Sequence, residues 1–219
     1  MDIVSRVSPG PLPPGPTGLT REQVLASQWG RLGWSALYVV SEQGYQATTV
    51  SDIVKRAQVS RRTFYQFFAD KQECYVAAFE LTVEVVENLL RTALEPYRGL
   101  NWKVLLRKSL EEYLAILTIE PALARALHVE ALAAGQALAV HRGHMKKVFV
   151  DRMTAVHALG VTQGELGELP IEGMLDLLIG GIDDRIRDCL NDAGPSGLGE
   201  LAAVFYETSV AVLGSKGLN

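Results

Sequence analysis

The densest group of cationic and hydrogen-bonding side chains lies between Thr48 and Phe79, in TTVSDIVKRAQVSRRTFYQFFADKQECYVAAF. Residues 55–71 hold Lys55, Arg56, Arg61, Arg62 and Lys71 against one acid, Asp70. Arg is the commonest bidentate reader of guanine and Gln can pair with adenine. Arg61, Arg62 and Gln66 therefore have the chemistry of base recognition, set among positive charge of the kind that meets a phosphate backbone. Catalytic chemistry is poorly served. The chain has no phosphate-binding glycine loop, nucleophile elbow, HExxH or CxxC pair. Glu111 and Glu112 are adjacent on a helical pattern and point to different faces, which does not suit paired acid–base work. His141 and His144 stand at i, i+3, but they lack the cysteine or fixed carboxylate that would complete a metal site. We expect no enzyme activity, no metal and no cofactor.

Local pattern dictates the elements that must hold these groups. Thr49 and Asp52 have capping-box spacing, so a helix should start after Thr49. Ile53, Val54 and Ala57 give it one buried face. Gln58-Val59-Ser60 makes a turn, with Ser60 placed to cap the next helix. In that helix Phe64, Phe67 and Phe68 share one side at i, i+3 and i+4, while Arg62 and Gln66 occupy the other, flanked by Tyr65 and bordered by Arg61 and Thr63. Asp70 and Glu73 cap a third helix, with Lys71 in its first turn. One face anchors and the other offers donors to a groove, as a helix-turn-helix requires.

The order of these parts resembles the TetR family of bacterial transcription regulators. Gly44-Tyr45 precedes the unit, Thr-Phe-Tyr-x-x-Phe fills its second helix, and Asp70-Lys71-x-Glu73 opens its third. The resemblance runs from Leu32 to Phe79. It implies that Thr49 and Ser51 meet phosphates, that Arg61, Arg62, Thr63 and Gln66 face the major groove, and that Tyr65 and Lys71 contact phosphate. Arg62 stands where the family often has a small residue. Phe67 stands where a polar phosphate contact is frequent, and is expected to pack inward instead.

The rest of the chain reads as helices, so the fold class expected is all-α: an N-terminal three-helix helix-turn-helix domain plus a C-terminal helical ligand-binding and dimerisation domain. Residues 1–19, rich in Pro and Gly, read as a disordered arm. The DNA-binding domain takes 20–69, and 70–219 forms the second domain. Thr20 and Gln23 start a helix to about Gln43, with a break at Gly30 and Gly33, giving a short separate first helix, as the alternative. Further segments follow: one from Asp70 to near Pro96, one after Asn101, one from Pro121 to Gly135, one over about 136–159, one from Ile171 to Cys189, and one from Leu201 to near Gly214. Residues 160–170 read as a loop, and NDAGPSG at 191–197 as a helix-breaking turn.

By the family's example a small-molecule effector would sit among the middle helices. Trp102, Tyr113, His128, Met145 and Phe149 combine apolar bodies with a few polar tips and are candidate lining residues. The last two helices are expected to pair across a two-fold axis in a homodimer, with Gly180-Gly181 allowing close approach.

Formal net charge is −4, but 1–80 carry +1 and 81–219 carry −5, so positive charge is local to the candidate reading helix. Cys74 and Cys189, both in apolar helical patterns, read as reduced thiols. No signal peptide or membrane-length apolar run is evident, which makes the cytoplasm the expected compartment. The function expected is a DNA-binding regulator, most simply a repressor, that binds a palindromic operator as a dimer and is released by a small molecule. The alternative is an all-helical small-molecule-binding or protein-interaction module without an operator.

Overall fold

The computed structural model describes residues 20–167 and 173–214. The arm expected at 1–19 and the helix start expected at Ile171 lie outside them. All regular elements among the described residues are helical. They are α1 (Arg21–Gln43), α2 (Val50–Ala57), α3 (Arg61–Phe67), α4 (Lys71–Leu94), α5 (Trp102–Ile119), α6 (Pro121–Arg125), α7 (Ala131–Ala133), α8 (Gln136–Thr162), α9 (Met174–Asp192) and α10 (Leu201–Leu213). Short 3-10 turns cover Glu95–Tyr97 and Pro195–Glu200, and a π-helical turn, Ala126–Glu130, joins α6 to α7. No helix is long and apolar enough to cross a membrane among these residues.

The chain sorts into two compact units. The described part of the first comprises residues 20–85 and 120–141, and that of the second 86–119 and 142–214. This division differs from a split at residue 70 because the start of α4 packs with the elements before it. Cys74 Sγ lies 3.9 Å from the Leu32 carbonyl, and the Tyr75 ring lies 5.3 Å from that of Tyr45.

In the first unit α1 is continuous, so Gly30 and Gly33 do not divide it. A Cβ at Gly33 would lie 3.8 Å from Leu81 and 4.0 Å from the Ala78 backbone, so a bare Cα lets α1 and α4 pack closely there. Thr20 and Gln23 form the reciprocal capping box expected of them. Gly44 ends α1 at φ 84, ψ 153: a positive φ that suits glycine, with an extended rather than left-handed ψ. Pro121 occupies the first turn of α6, where its missing N–H costs nothing.

The second unit is built on α5, α8, α9 and α10. Asn101 Oδ1 accepts from Lys103 N at 2.9 Å, which starts α5. α8 runs three residues past 159, so the expected loop begins later than its sequence suggested. Gly194, at φ 73, sits in the turn that separates α9 from the last helix. Leu106, Leu117, Ile186, Leu198 and Phe205 are buried in this unit. Both cysteines are free thiols, Cys74 buried and Cys189 half-buried. Burial pushes the Cys74 thiol up to about 12, where it is inert as a nucleophile.

Candidate nucleic-acid interface

The interface is built from caps outward. Thr49 Oγ1 accepts from Asp52 N, and Asp52 Oδ2 accepts from Thr49 N at 2.9 Å and from Thr49 Oγ1 at 2.6 Å. These bonds, the hydroxyl's first among them, hold the Asp52 carboxyl below the usual aspartate range. α2 ends at Gln58, whose left-handed conformation (φ 53, ψ 44) is found at no other non-glycine among the described residues. Arg31 on α1 donates to the carbonyls of Ala57 and Gln58, satisfying acceptors that a helix C-terminus leaves open. Ser60 then caps α3 by accepting from Thr63 N at 3.0 Å.

On α3 the aromatic underside is anchored. Phe64 is 0% exposed and Phe68 is buried, with their rings 5.7 Å apart. Burying one such ring is worth roughly 1.5–3 kcal/mol. Phe67 is half-buried beside Phe68, which agrees with inward packing. The other face carries Arg61, Arg62, Tyr65 and Gln66, all exposed, with Thr63 half-buried at its border. Arg61 donates to Ser51 Oγ, tying α3 to the start of α2. The side chains of Arg62 and Gln66 have no hydrogen bond or ion pair among the described residues. Tyr65 is 57% exposed, its ring set edge-on against Phe64. This surface can donate to phosphates and base edges, and its own geometry does not tie up the two residues best suited to base reading.

Lys71 is placed differently from the expectation that it meets phosphate. Its Nζ donates to the carbonyls of Tyr45 (2.9 Å), Gln46 (3.2 Å) and Thr48 (2.8 Å), and lies 4.7 Å from the centre of the Tyr45 ring. An ammonium has three donors, so none is left for a phosphate unless one of these bonds breaks. The same turn is held from a second side. Glu130, buried in the π-helical turn, accepts from Tyr45 N at 2.9 Å and pairs with Arg125 at 3.1 Å. Sequence reasoning did not identify Glu130, and no local spacing signals it.

The five candidate lining residues do not form one set. His128 is buried in the first unit. In the second unit Trp102 is buried, and its indole N–H donates to Glu165 at 3.0 Å, which makes it an anchor for the end of α8 rather than a free wall. Tyr113 and Phe149 rings lie 4.9 Å apart, and Met145 is buried one turn before Phe149. Burial, then the nearby Asp183 carboxylate, pushes the Tyr113 phenol up. Asp183 is itself buried and meets Arg142 at 3.0 Å, Arg187 at 3.4 Å and Lys146 at 3.7 Å. None of the five borders the cleft of about 220 Å³ in the same unit, whose rim includes Arg91, Arg98 and Arg152. His141 Nδ1 lies 2.9 Å from Glu80, and no cluster of three or more metal-ligating side chains occurs among the described residues.

A short capped helix pair with an anchored second member and a free polar face is the layout of a helix-turn-helix. Residues 35–78 match the family model for bacterial regulatory proteins of the tetR family. Over 65 residues the chain is 35% identical to an HTH-type transcriptional regulator, YvdT, of Bacillus subtilis (strain 168). That match spans 30% of this chain and 30% of the relative's length. The fold is shared more widely. The fatty acid degradation regulator FadR from Bacillus halodurans aligns with TM-score 0.72 at 17% identity, over 86% of this chain and 95% of that one. FadR from Bacillus subtilis, solved in complex with stearoyl-CoA, aligns with TM-score 0.70 at 21% identity, over 83% and 97%. A TetR-like regulator from Rhodococcus sp. RHA1 aligns with TM-score 0.66 at 19% identity, over 90% and 100%. Residues 35–78 thus carry the N-terminal module of the tetR family, and the chain shares the fold of TetR-like regulators.

Proposed function

We propose that the chain acts as a cytoplasmic homodimer that binds a near-palindromic operator, represses transcription there, and is released by a small molecule. The observation that carries this reading is the exposed, uncommitted pair Arg62 and Gln66 on a helix whose opposite face is fixed by Phe64 and Phe68. In this reading Arg61, Arg62, Thr63 and Gln66 enter the major groove. Thr49, Ser51 and Tyr65 meet phosphates at its edge. Lys71 we assign to holding the turn before α2 rather than to the DNA.

Two features favour the dimer. Leu177 on α9 is 80% exposed and Val204 on α10 is 53% exposed. A Cβ added at Gly180 or Gly181 would meet nothing within 4 Å, so the α9 backbone is open to a neighbour on that side. Exposed apolar side chains on the last two helices, beside an open α9 backbone, give a partner somewhere to pack. The effector site we place in the second unit, with Tyr113, Met145 and Phe149 as its apolar residues. A ligand releases DNA only by binding the two states unequally, whatever its affinity.

The test is fluorescence anisotropy with DNA from upstream of the protein's own gene, repeated over a salt series. Expected is a linear fall of log K with log salt, at a slope near −0.9 per phosphate contacted, and sequence preference that survives competitor DNA. Binding that is indifferent to both salt and sequence would leave a helical ligand-binding or protein-interaction module instead.

A further inference from the structure

The cleft in the second unit joins an apolar hollow to charge that the protein does not neutralise. Leu94, Leu105, Ala155 and Val156 line it, and Arg91, Arg98 and Arg152 border the same space. Arg98 is paired with Glu95 at 2.9 Å. Arg91 donates to the Asn88 amide oxygen at 2.6 Å, and Arg152 reaches the Glu87 backbone carbonyl at 3.4 Å. Neither has a carboxylate partner among the described residues. Glu87 lies one turn before Arg91 on α4 but forms no ion pair with it. Ser109, also at the cleft, spends its hydroxyl proton on the Leu105 carbonyl.

Two guanidiniums without counter-charges, at the edge of an apolar hollow, match one kind of small molecule. Their planar forks pair bidentately with carboxylate or phosphate, and such charge-assisted bonds are the stronger class of hydrogen bond. A neutral apolar ligand would leave them unused, and a cation would be repelled. We propose that this cleft binds an amphipathic anion, its apolar chain or ring in the hollow and its carboxylate or phosphate held by Arg91 and Arg152. The volume, about 220 Å³, is below the roughly 300 Å³ at which pockets for drug-sized ligands begin. It therefore suits a short chain, or one end of a longer one. The cleft is separate from the Tyr113, Met145 and Phe149 cluster, so the inference adds a ligand site in the same unit and goes beyond the effector placement above.

The test is isothermal titration of the full chain with decanoate and with decyl phosphate, against decanol and decyltrimethylammonium. At least one anion should bind about tenfold or more tighter than decanol, which is the scale of one charge-assisted hydrogen bond. The ranking of the two anions tells which head group the forks prefer. In Arg91→Gln/Arg152→Gln that advantage should vanish while decanol affinity stays as it was. Where this pair of changes fails to fold, Arg152→Lys, which keeps the charge and loses the fork, should lower anion affinity by a smaller factor. Decanol binding as tightly as either anion, no binding of either anion up to its solubility limit, or an unchanged anion affinity in the variants would overturn the proposal. Release of operator DNA is measured separately. An anion that binds without releasing DNA leaves this site standing and shows that its occupancy is not coupled to the operator.

Discussion

At the scale of single residues, the reading helix separates groups that look alike in sequence. Arg62 and Lys71 are both basic and nine positions apart, yet one is open to solvent and the other is spent on three carbonyls. Replacing Arg62 by Ala should weaken operator binding by about 1–3 kcal/mol and relax preference at one base pair. A selection assay that returns an unaltered preference would show that Arg62 clamps phosphate instead. Lys71→Met should behave oppositely. The Tyr45, Gln46 and Thr48 carbonyls lose a shared donor, so the midpoint of thermal unfolding should fall, while the salt slope of DNA binding stays unchanged to within about one contact. A slope reduced by one full contact would return Lys71 to the phosphate backbone. The Lys71 role was illegible in sequence because its acceptors sit on a turn 23 to 26 residues earlier, beyond the reach of helical periodicity.

At the scale of elements, legibility followed range. The capping boxes at Thr20 and Thr49 and the Ser60 cap were readable because each is complete within four consecutive residues. The π-helical turn at Ala126–Glu130 was not readable, because nothing in ALHVE distinguishes it from an ordinary helical turn. The Arg91–Arg98–Arg152 cleft was also missed, since α4 and α8 supply it from positions some sixty residues apart. The α2 cap carries a pH consequence. The Asp52 carboxyl is held below its ordinary value, so its contribution to stability is fully present above the roughly 3.9 of an unfolded aspartate and is lost as pH falls through the lower folded value. Unfolding measured from pH 5 downward should therefore show a shallower acid loss in Asp52→Asn than in the parent. Parallel acid limbs would mean that the cap does not titrate with folding.

For the whole molecule, the all-helical fold was legible from the succession of apolar stripes, whereas the partition into units was not. The returning segment 120–141 joins residues 20–85 through side chains such as Glu130, which meets a backbone N–H far away in sequence. The proposed subunit pairing rests on apolar side chains left in solvent, Leu177 and Val204. Leu177→Glu would place a charge in any α9 interface, at a cost of about 2 kcal/mol or more per copy if the site is dry. Sedimentation should then show a shift toward monomer. Operator affinity should fall with it, because a single subunit reaches only one half-site. A dimer unchanged by this substitution would move the interface elsewhere.

Arg31 also bears on how much of such a protein can be transplanted. Its guanidinium supplies the donor for the last carbonyls before the turn, so a graft of residues 49–68 onto a foreign scaffold would leave Ala57 and Gln58 without it. The smallest piece able to carry its operator preference into a chimera therefore has to begin upstream, on α1, at or before Arg31.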